Sequence, residues 1–137
     1  MDPRLFFYIM RGHQLDERPS TIMGRIAKGY STLELREMSS YFADLPWQDQ
    51  RVDVAESDLV AGEKLHRDLC ADCHDDGGRY QDKEIPRLKG QLQAYLLMRM
   101  EDYQDDRKRL PQPPKMKKRI GPLTADEIRA LSYYYTR

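Results

Sequence analysis

Cys70-Ala71-Asp72-Cys73-His74 holds both cysteines of this 137-residue chain and one of its three histidines. Two thiols about one helical turn apart can add to the two vinyl groups of a porphyrin, and the next residue then places an imidazole under the iron. The pattern is that of c-type haem attachment. Cys70 and Cys73 are the expected thioether positions and His74 the expected proximal ligand. Two rival readings are weaker. A structural zinc site wants four nitrogen or sulfur ligands, and of the remaining residues only His13 and His66 qualify, neither at ligand spacing. A thioredoxin-like dithiol needs strands around it, and no stretch of period-2 alternation is present.

Working outward, the chain reads as all-α. Ser57 is a plausible cap for a helix running to about Ala71 on Leu59, Leu65 and Leu69, and that helix delivers the cysteines. A polar loop, 75–89, follows. Residues 90–105 read as an amphipathic helix using Leu92, Tyr95, Leu96, Met100 and Tyr103. A basic, proline-rich loop then runs to Leu123. Thr124 and Glu127 form a capping box, and Ile128, Leu131 and Tyr135 give an i, i+3, i+7 apolar face to the C-terminus. Before the motif, 5–11 reads as a short helix, 12–29 as a loop and 31–43 as a helix. Ser31 and Glu34 cap that last helix, and Leu35, Met38 and Phe42 lie on its face.

These two capped helices are the same unit written twice. A shift of 93 residues lays Ser31 on Thr124, Glu34 on Glu127, Leu35 on Ile128, Met38 on Leu131, Phe42 on Tyr135 and Met23 on Met116. Tyr8-Ile9-Met10 resembles Tyr95-Leu96-Leu97 at an offset of 87, which requires an insertion in the second copy. The expected organisation is therefore a truncated first domain over 1–45 without a C-x-x-C-H, a linker over 46–56 and a complete haem domain over 57–137.

An iron held by His74 has a second axial face. Met98 and Met100 lie inside a helical pattern, where core packing explains them. Met116 is the lone apolar residue of Lys115-Met116-Lys117-Lys118-Arg119, and its counterpart Met23 also precedes a capped helix, so Met116 is the expected distal ligand. His/Met coordination raises the reduction potential and suits electron transfer. From Asp105 to Arg119 seven Lys or Arg face two Asp. That stretch is open to three readings: a solvated loop, a partner for haem propionates, or a steering surface for an acidic redox protein.

Global composition excludes other classes. The 23 basic residues balance the 23 acidic ones, which argues against a nucleic-acid or polybasic membrane partner. Mean hydropathy is −0.84, and no apolar run approaches the roughly 20 residues of a membrane span. Leu5 to Met10 is too short for an export signal, so the sequence reads as a mature or truncated chain, or as one that stays in the cytoplasm. The last option leaves a haem-free remnant with a reduced dithiol as a further alternative, because bacterial haem attachment takes place outside the cytoplasm.

Arg4 to Phe42, above all Ser20-Thr-Ile-Met-Gly-Arg-Ile-Ala-Lys-Gly-Tyr-Ser31, together with Gly62-Glu-Lys-Leu-His66, Cys70 to His74 and Gly77-Gly78, resembles the dihaem cytochrome subunit of flavocytochrome c sulfide dehydrogenase. Pro86-x-Leu88-x-Gly90-Gln91 adds a more general cytochrome c4-like pattern. The resemblance implies an all-α fold in which a cytochrome c-like haem domain follows a partial copy of itself. It implies one covalent haem c on Cys70 and Cys73, with His74 and Met116 as axial ligands. Pro86 would lie beside His74, where a backbone carbonyl fixes the imidazole tautomer, and Leu88 would pack on the porphyrin. The implied partner is a periplasmic flavoprotein (FAD) subunit that oxidises sulfide and passes on electrons. The chain itself would be an electron-transfer subunit rather than an enzyme. A free cytochrome c4-like shuttle between other redox proteins would use the same haem. Met23 matches the distal methionine of a first haem that this chain cannot hold covalently.

Overall fold

The computed structural model describes every residue except Arg51, in the expected linker, and Arg109 and Gln112, in the expected basic loop. The described residues form helices and turns and no strands. In order these are α1 (Pro3–Gln14), α2 (Met23–Lys28), α3 (Thr32–Asp44), α4 (Glu56–Leu65), a π-helical turn (His66–Cys70), α5 (Asp75–Gly78), α6 (Gln93–Gln104), a 3-10 turn (Asp106–Lys108), α7 (Pro114–Ile120) and α8 (Ala125–Thr136). They divide into two compact units. One is built mainly on Met1–Trp47 with Gln81–Pro86, the other on Gln48–Tyr80, Arg87–Lys108 and the C-terminal stretch to Arg137.

In the first unit, Asp2 caps α1 by accepting from the amides of Arg4 and Leu5, and Pro3 at the first helical position supplies a pre-set φ. α1 packs on both α2 and α3. Met10, Ala27 and Leu35 are buried where they meet, with Phe6, Phe7, Met23 and Met38 half-buried around them. The Ser31/Glu34 capping box forms as the spacing requires, the Ser31 amide donating to Glu34 at 2.7 Å.

The second unit has the larger core: Leu96, Met100, Ile120, Ile128, Leu131 and Tyr135. The extra partner is α4, which packs along α8. Gly62 makes that approach possible, because a Cβ there would sit 2.3 Å from the Ala130 carbonyl oxygen and 2.6 Å from the Tyr134 Cβ. Glycine is the residue type that lets two helix backbones come this close. Thr124 and Glu127 cap α8 in the same way as Ser31 and Glu34 cap α3.

Several helix boundaries depart from the sequence expectations. α1 extends from Pro3 to Gln14, longer than 5–11. The loop expected over 12–29 contains α2. α4 begins at Glu56 with Ala55 in the cap position, so Ser57 lies inside the helix. Most consequentially, Met116 lies not in a loop but in α7, where Pro114 starts a run of good helix formers. On α6, Leu96 and Met100 are buried as expected, while Tyr95 and Met98, and Leu92 just before the helix, are exposed, so Met98 has no core role.

Side-chain hydrogen bonds reveal how closely the two copies correspond, and correct one offset. Ser39 donates to the Arg36 carbonyl at 2.7 Å and Ser132 to the Arg129 carbonyl at 2.7 Å, a shift of 93. Gln14 Nε2 donates to the carbonyls of Ala27 and Tyr30, and Gln104 Nε2 to those of Ile120 and Leu123. The acceptors are again 93 apart, but the glutamines are 90 apart. The α1/α6 correspondence is thus 90, not 87, and aligns Met10 with Met100, both buried. Tyr8 and Tyr95, which suggested 87, are 60% and 44% exposed and carry no packing constraint. Three extra residues, not six, lie between Gln104 and Ile120.

Candidate functional site

α4 carries the chain toward the motif, and a π-helical turn sets its register. The Ala71 amide reaches back to the His66 carbonyl at 2.9 Å, an i→i+5 bond, and π-turns of this kind recur at functional positions. The Cys73 and His74 amides then both donate to the Cys70 carbonyl, at 3.2 and 2.9 Å. The motif is therefore a tight turn hung on the Cys70 carbonyl. Both cysteines are free thiols, Cys70 half-buried and Cys73 exposed, and His74 is buried at 5% exposure.

Beyond His74 the backbone reverses. Asp76, Gly77 and Gly78 have φ of 50°, 60° and 86°, a left-handed stretch for which two of the three positions supply glycine. At Gly78 a Cβ would also fall 2.7 Å from the Tyr135 ring. The Gly78 carbonyl accepts from the amides of Leu88 and Lys89 at 2.8 and 2.9 Å. Lys89 Nζ donates to the Tyr134 carbonyl at 2.8 Å and the Gly90 amide to the Tyr135 carbonyl at 2.7 Å. The last carbonyls of α8 are thereby satisfied by the segment that presents Leu88.

Three of the predicted site residues converge. Cys70, Leu88 and Met116 are each half-buried against the same core cluster of Leu96, Met100, Ile120, Ile128, Leu131 and Tyr135. α7 is tied to the motif itself, since Arg119, one turn after Met116, pairs with Asp72 at 3.5 Å. That ion pair is exposed and contributes little energy; its value is as a marker of where α7 runs. Pro86 is exposed and belongs to the first unit, outside this cluster. Met23 is half-buried on the Met10, Ala27 and Leu35 core.

Burial pushes the Cys70 thiol above its ordinary range, partly offset by a hydrogen bond with the Tyr135 hydroxyl and by the Arg119 charge. Burial likewise holds the Tyr135 phenol far above its ordinary value. His66, which spacing alone dismissed as a ligand, accepts or donates at Nδ1 to the Tyr135 hydroxyl at 2.9 Å in a buried pair. Its ring stacks on Tyr134 with centroids 5.2 Å apart. Burial, with the Lys89 charge, lowers its pKa. The one sequence signal for His66 is its place four residues before Cys70, on the same helix face.

The donor set fits a c-type haem: two free thiols and an imidazole in one turn, with the Met116 thioether on the core that Cys70 shares. Among the described residues no group of three or more His, Cys, Asp or Glu side chains is gathered as a metal ion would need.

No protein-family model and no curated protein matches the sequence. Solved structures do match. Cytochrome c4 of Acidithiobacillus ferrooxidans superposes with a TM-score of 0.82 at 14% identity, covering 98% of this chain and 83% of that one. Reduced recombinant cytochrome c4 of Pseudomonas stutzeri gives 0.81 at 21% identity, covering 98% and 80%. Thiosulfate dehydrogenase (TsdBA) of Marichromatium purpuratum gives 0.81 at 23% identity, and there this chain spans 31% of the other. The chain is all-α and has the cytochrome c4-like fold.

Proposed function

We propose that the chain is an electron-transfer subunit carrying one haem c, which receives electrons from a flavoprotein subunit during sulfide oxidation. The observation that carries the haem assignment is the turn Cys70 to His74, with both thiols free, built onto the core that also bears Met116. When bound, the haem supplies one-electron exchange at a potential raised by histidine and methionine ligation. The chain's own residues hold it. Cys70 and Cys73 would carry it through thioether links, and His74 and Met116 would supply the imidazole and thioether ligands to its iron. Leu88 would close the apolar side of the site. Met23, without a C-x-x-C-H in its unit, serves the core of the first unit.

Support for the flavoprotein partner comes from the stretch Ser20 to Ser31 and from Gly62 to His66, which resemble the cytochrome subunit of flavocytochrome c sulfide dehydrogenase. Catalysis at sulfide then belongs to the partner. The location that goes with this reading is the periplasm, where haem is attached; no helix among the described residues is long and apolar enough to cross a membrane. The fold match over most of two cytochrome c4 chains favours a second reading, a free shuttle between other redox proteins.

Two measurements test these readings. A reduced-minus-oxidised spectrum with iron quantitation on matured protein should give one low-spin c-type haem per chain, and colourless protein after acid-acetone washing would refute the assignment. Native purification should retain a flavin-containing partner. Its absence favours the shuttle.

A further inference from the structure

α6 carries a charged cluster beside the core that Met116 borders. Asp102 is buried there at 9% exposure. Its carboxylate accepts from Arg99 Nη1 at 3.3 Å on one oxygen and from Lys108 Nζ on the other. The Arg99 side chain is 17% exposed, and its guanidinium lies over the Tyr103 ring, 5.2 Å from the centroid. Tyr103 in turn packs against the core cluster that Cys70, Leu88 and Met116 also border. Two cations therefore meet one carboxylate, and one positive charge is left over.

The surplus charge comes with an unused donor. Among the described residues Arg99 Nη2 is buried without a hydrogen-bond partner, and the one ion-pair partner of Arg99 is Asp102. A guanidinium carries five N–H donors in a planar fork and stays charged. Burying such a donor unsatisfied is costly, and the group that satisfies it best is a second carboxylate, held by charge-assisted hydrogen bonds.

The two copies of the fold differ at this point. Under the correspondence of 90 between α1 and α6, Arg99 falls on Ile9 and Asp102 on Gly12. The unit without a C-x-x-C-H has neither charge, while the unit with it has both. The basic stretch after α6 is a poorer source of such a donor. Arg107, Lys117 and Arg119 already pair with Asp105, Asp106 and Asp72, and all three side chains are exposed.

We infer that Arg99 binds one haem propionate through Nη2, with Asp102 holding the guanidinium from the Nη1 side. This rests on the haem reading above and deepens it. The two propionates of such a porphyrin lie on the pyrroles that bear no vinyl group, so their partners come from elements other than the Cys70 turn, and α6 is one. The contact offsets the propionate charge. A bare carboxylate near the iron favours the oxidised state, and a guanidinium facing it reduces that bias.

The test uses the matured, haem-loaded full chain, with its haem counted first by iron quantitation and its propionate carboxyls carrying a heavy-carbon label. A redox-difference infrared spectrum then isolates the propionate bands by their isotope shift. Arg99→Gln should move one of the two propionate bands and leave the other. It should also favour the oxidised haem about threefold, lowering the midpoint potential by about 28 mV at about 59 mV per tenfold for a one-electron couple. Arg99→Lys keeps the charge without the planar fork, so it should recover most of the potential while the band stays displaced. Lys108→Gln removes an equal charge from the same cluster and should leave both bands in place. A role confined to packing or to bulk charge would change stability or potential in these variants and neither band. Unmoved bands in Arg99→Gln, or bands moved equally by Lys108→Gln, overturn the inference. If the glutamine variant does not mature, unmoved bands in Arg99→Lys overturn it. Wild-type chain that matures without haem sinks the haem reading and this inference together, whereas haem-loaded variants with unmoved bands sink this inference alone.

Discussion

Replacing Gly62 by alanine should separate two helices that now touch backbone to backbone. In an ordinary helix interior the change stabilises by about 0.5–1 kcal/mol, because glycine loses more freedom on folding. Here the new Cβ would stand 2.3 Å from the Ala130 oxygen and 2.9 Å from the Ala130 carbonyl carbon. Carbon and oxygen rest comfortably at about 3.3 Å, so α4 and α8 must move apart by about 1 Å. Neither obstacle can rotate away, since both are main-chain atoms. Overpacking costs about 1–3 kcal/mol, and two main-chain obstacles at 2.3 and 2.9 Å place this site in the upper part of that range, about 2–3 kcal/mol, which outweighs the entropic gain. The expected net loss is at least about 1 kcal/mol, and for a unit of this size each kcal/mol lowers Tm by about 4–8 °C. Urea unfolding of the matured protein measures it. Gly12→Ala is the internal control: it lies in the last turn of α1, where a Cβ meets only the Arg18 Cβ at 3.4 Å, and it should be neutral or stabilising. A Gly62→Ala variant as stable as the wild type would refute the close α4–α8 contact, and with it the placement of the Cys70 turn.

Other outcomes follow from the same structure. Met116→Ala should abolish the methionine-sulfur absorption band while the haem stays covalently attached through Cys70 and Cys73; an unchanged band would remove Met116 from the iron. Residues 1–45 should be cleaved first in limited proteolysis, because among the described residues three buried apolar side chains form the core of the first unit and six that of the second; equal protection of both would contradict this. His66 has a folded-state pKa below its ordinary value of 6.5, so between the two values the unfolded chain binds the extra proton. Stability of the second unit should then be full above about pH 6.5 and fall as the solution is acidified, levelling off below the folded pKa. Denaturant midpoints in His66→Gln should lack that acid-side decline.

Residues whose partners lie nearby in the chain were readable from the sequence. The Ser31/Glu34 and Thr124/Glu127 capping boxes form as their three-residue spacing requires. The Cys70 to His74 pattern carries its chemistry in its spacing, and the repeat of 93 follows from side chains that face a core. The all-α class follows from these local periods. Where a residue faces solvent, the same reasoning misled: Tyr8 and Tyr95 look equivalent as letters, but exposure leaves them free of any packing constraint, and the helices correspond one turn away. The prolines at 111, 113 and 114, just before Met116, predict a loop there, whereas Pro114 starts a helix.

The chain alone therefore determined what is bonded within a few residues: the thiol and imidazole turn, the helix caps and the duplicated helix faces. Tertiary structure decided the pairings across long separations. His66 meets Tyr135 from 69 residues away, Gly62 meets Ala130, and Met116 shares a core with Cys70. No local pattern encodes these, because each depends on which remote surfaces are buried together, and that is settled only when the two helices carrying them close on one another.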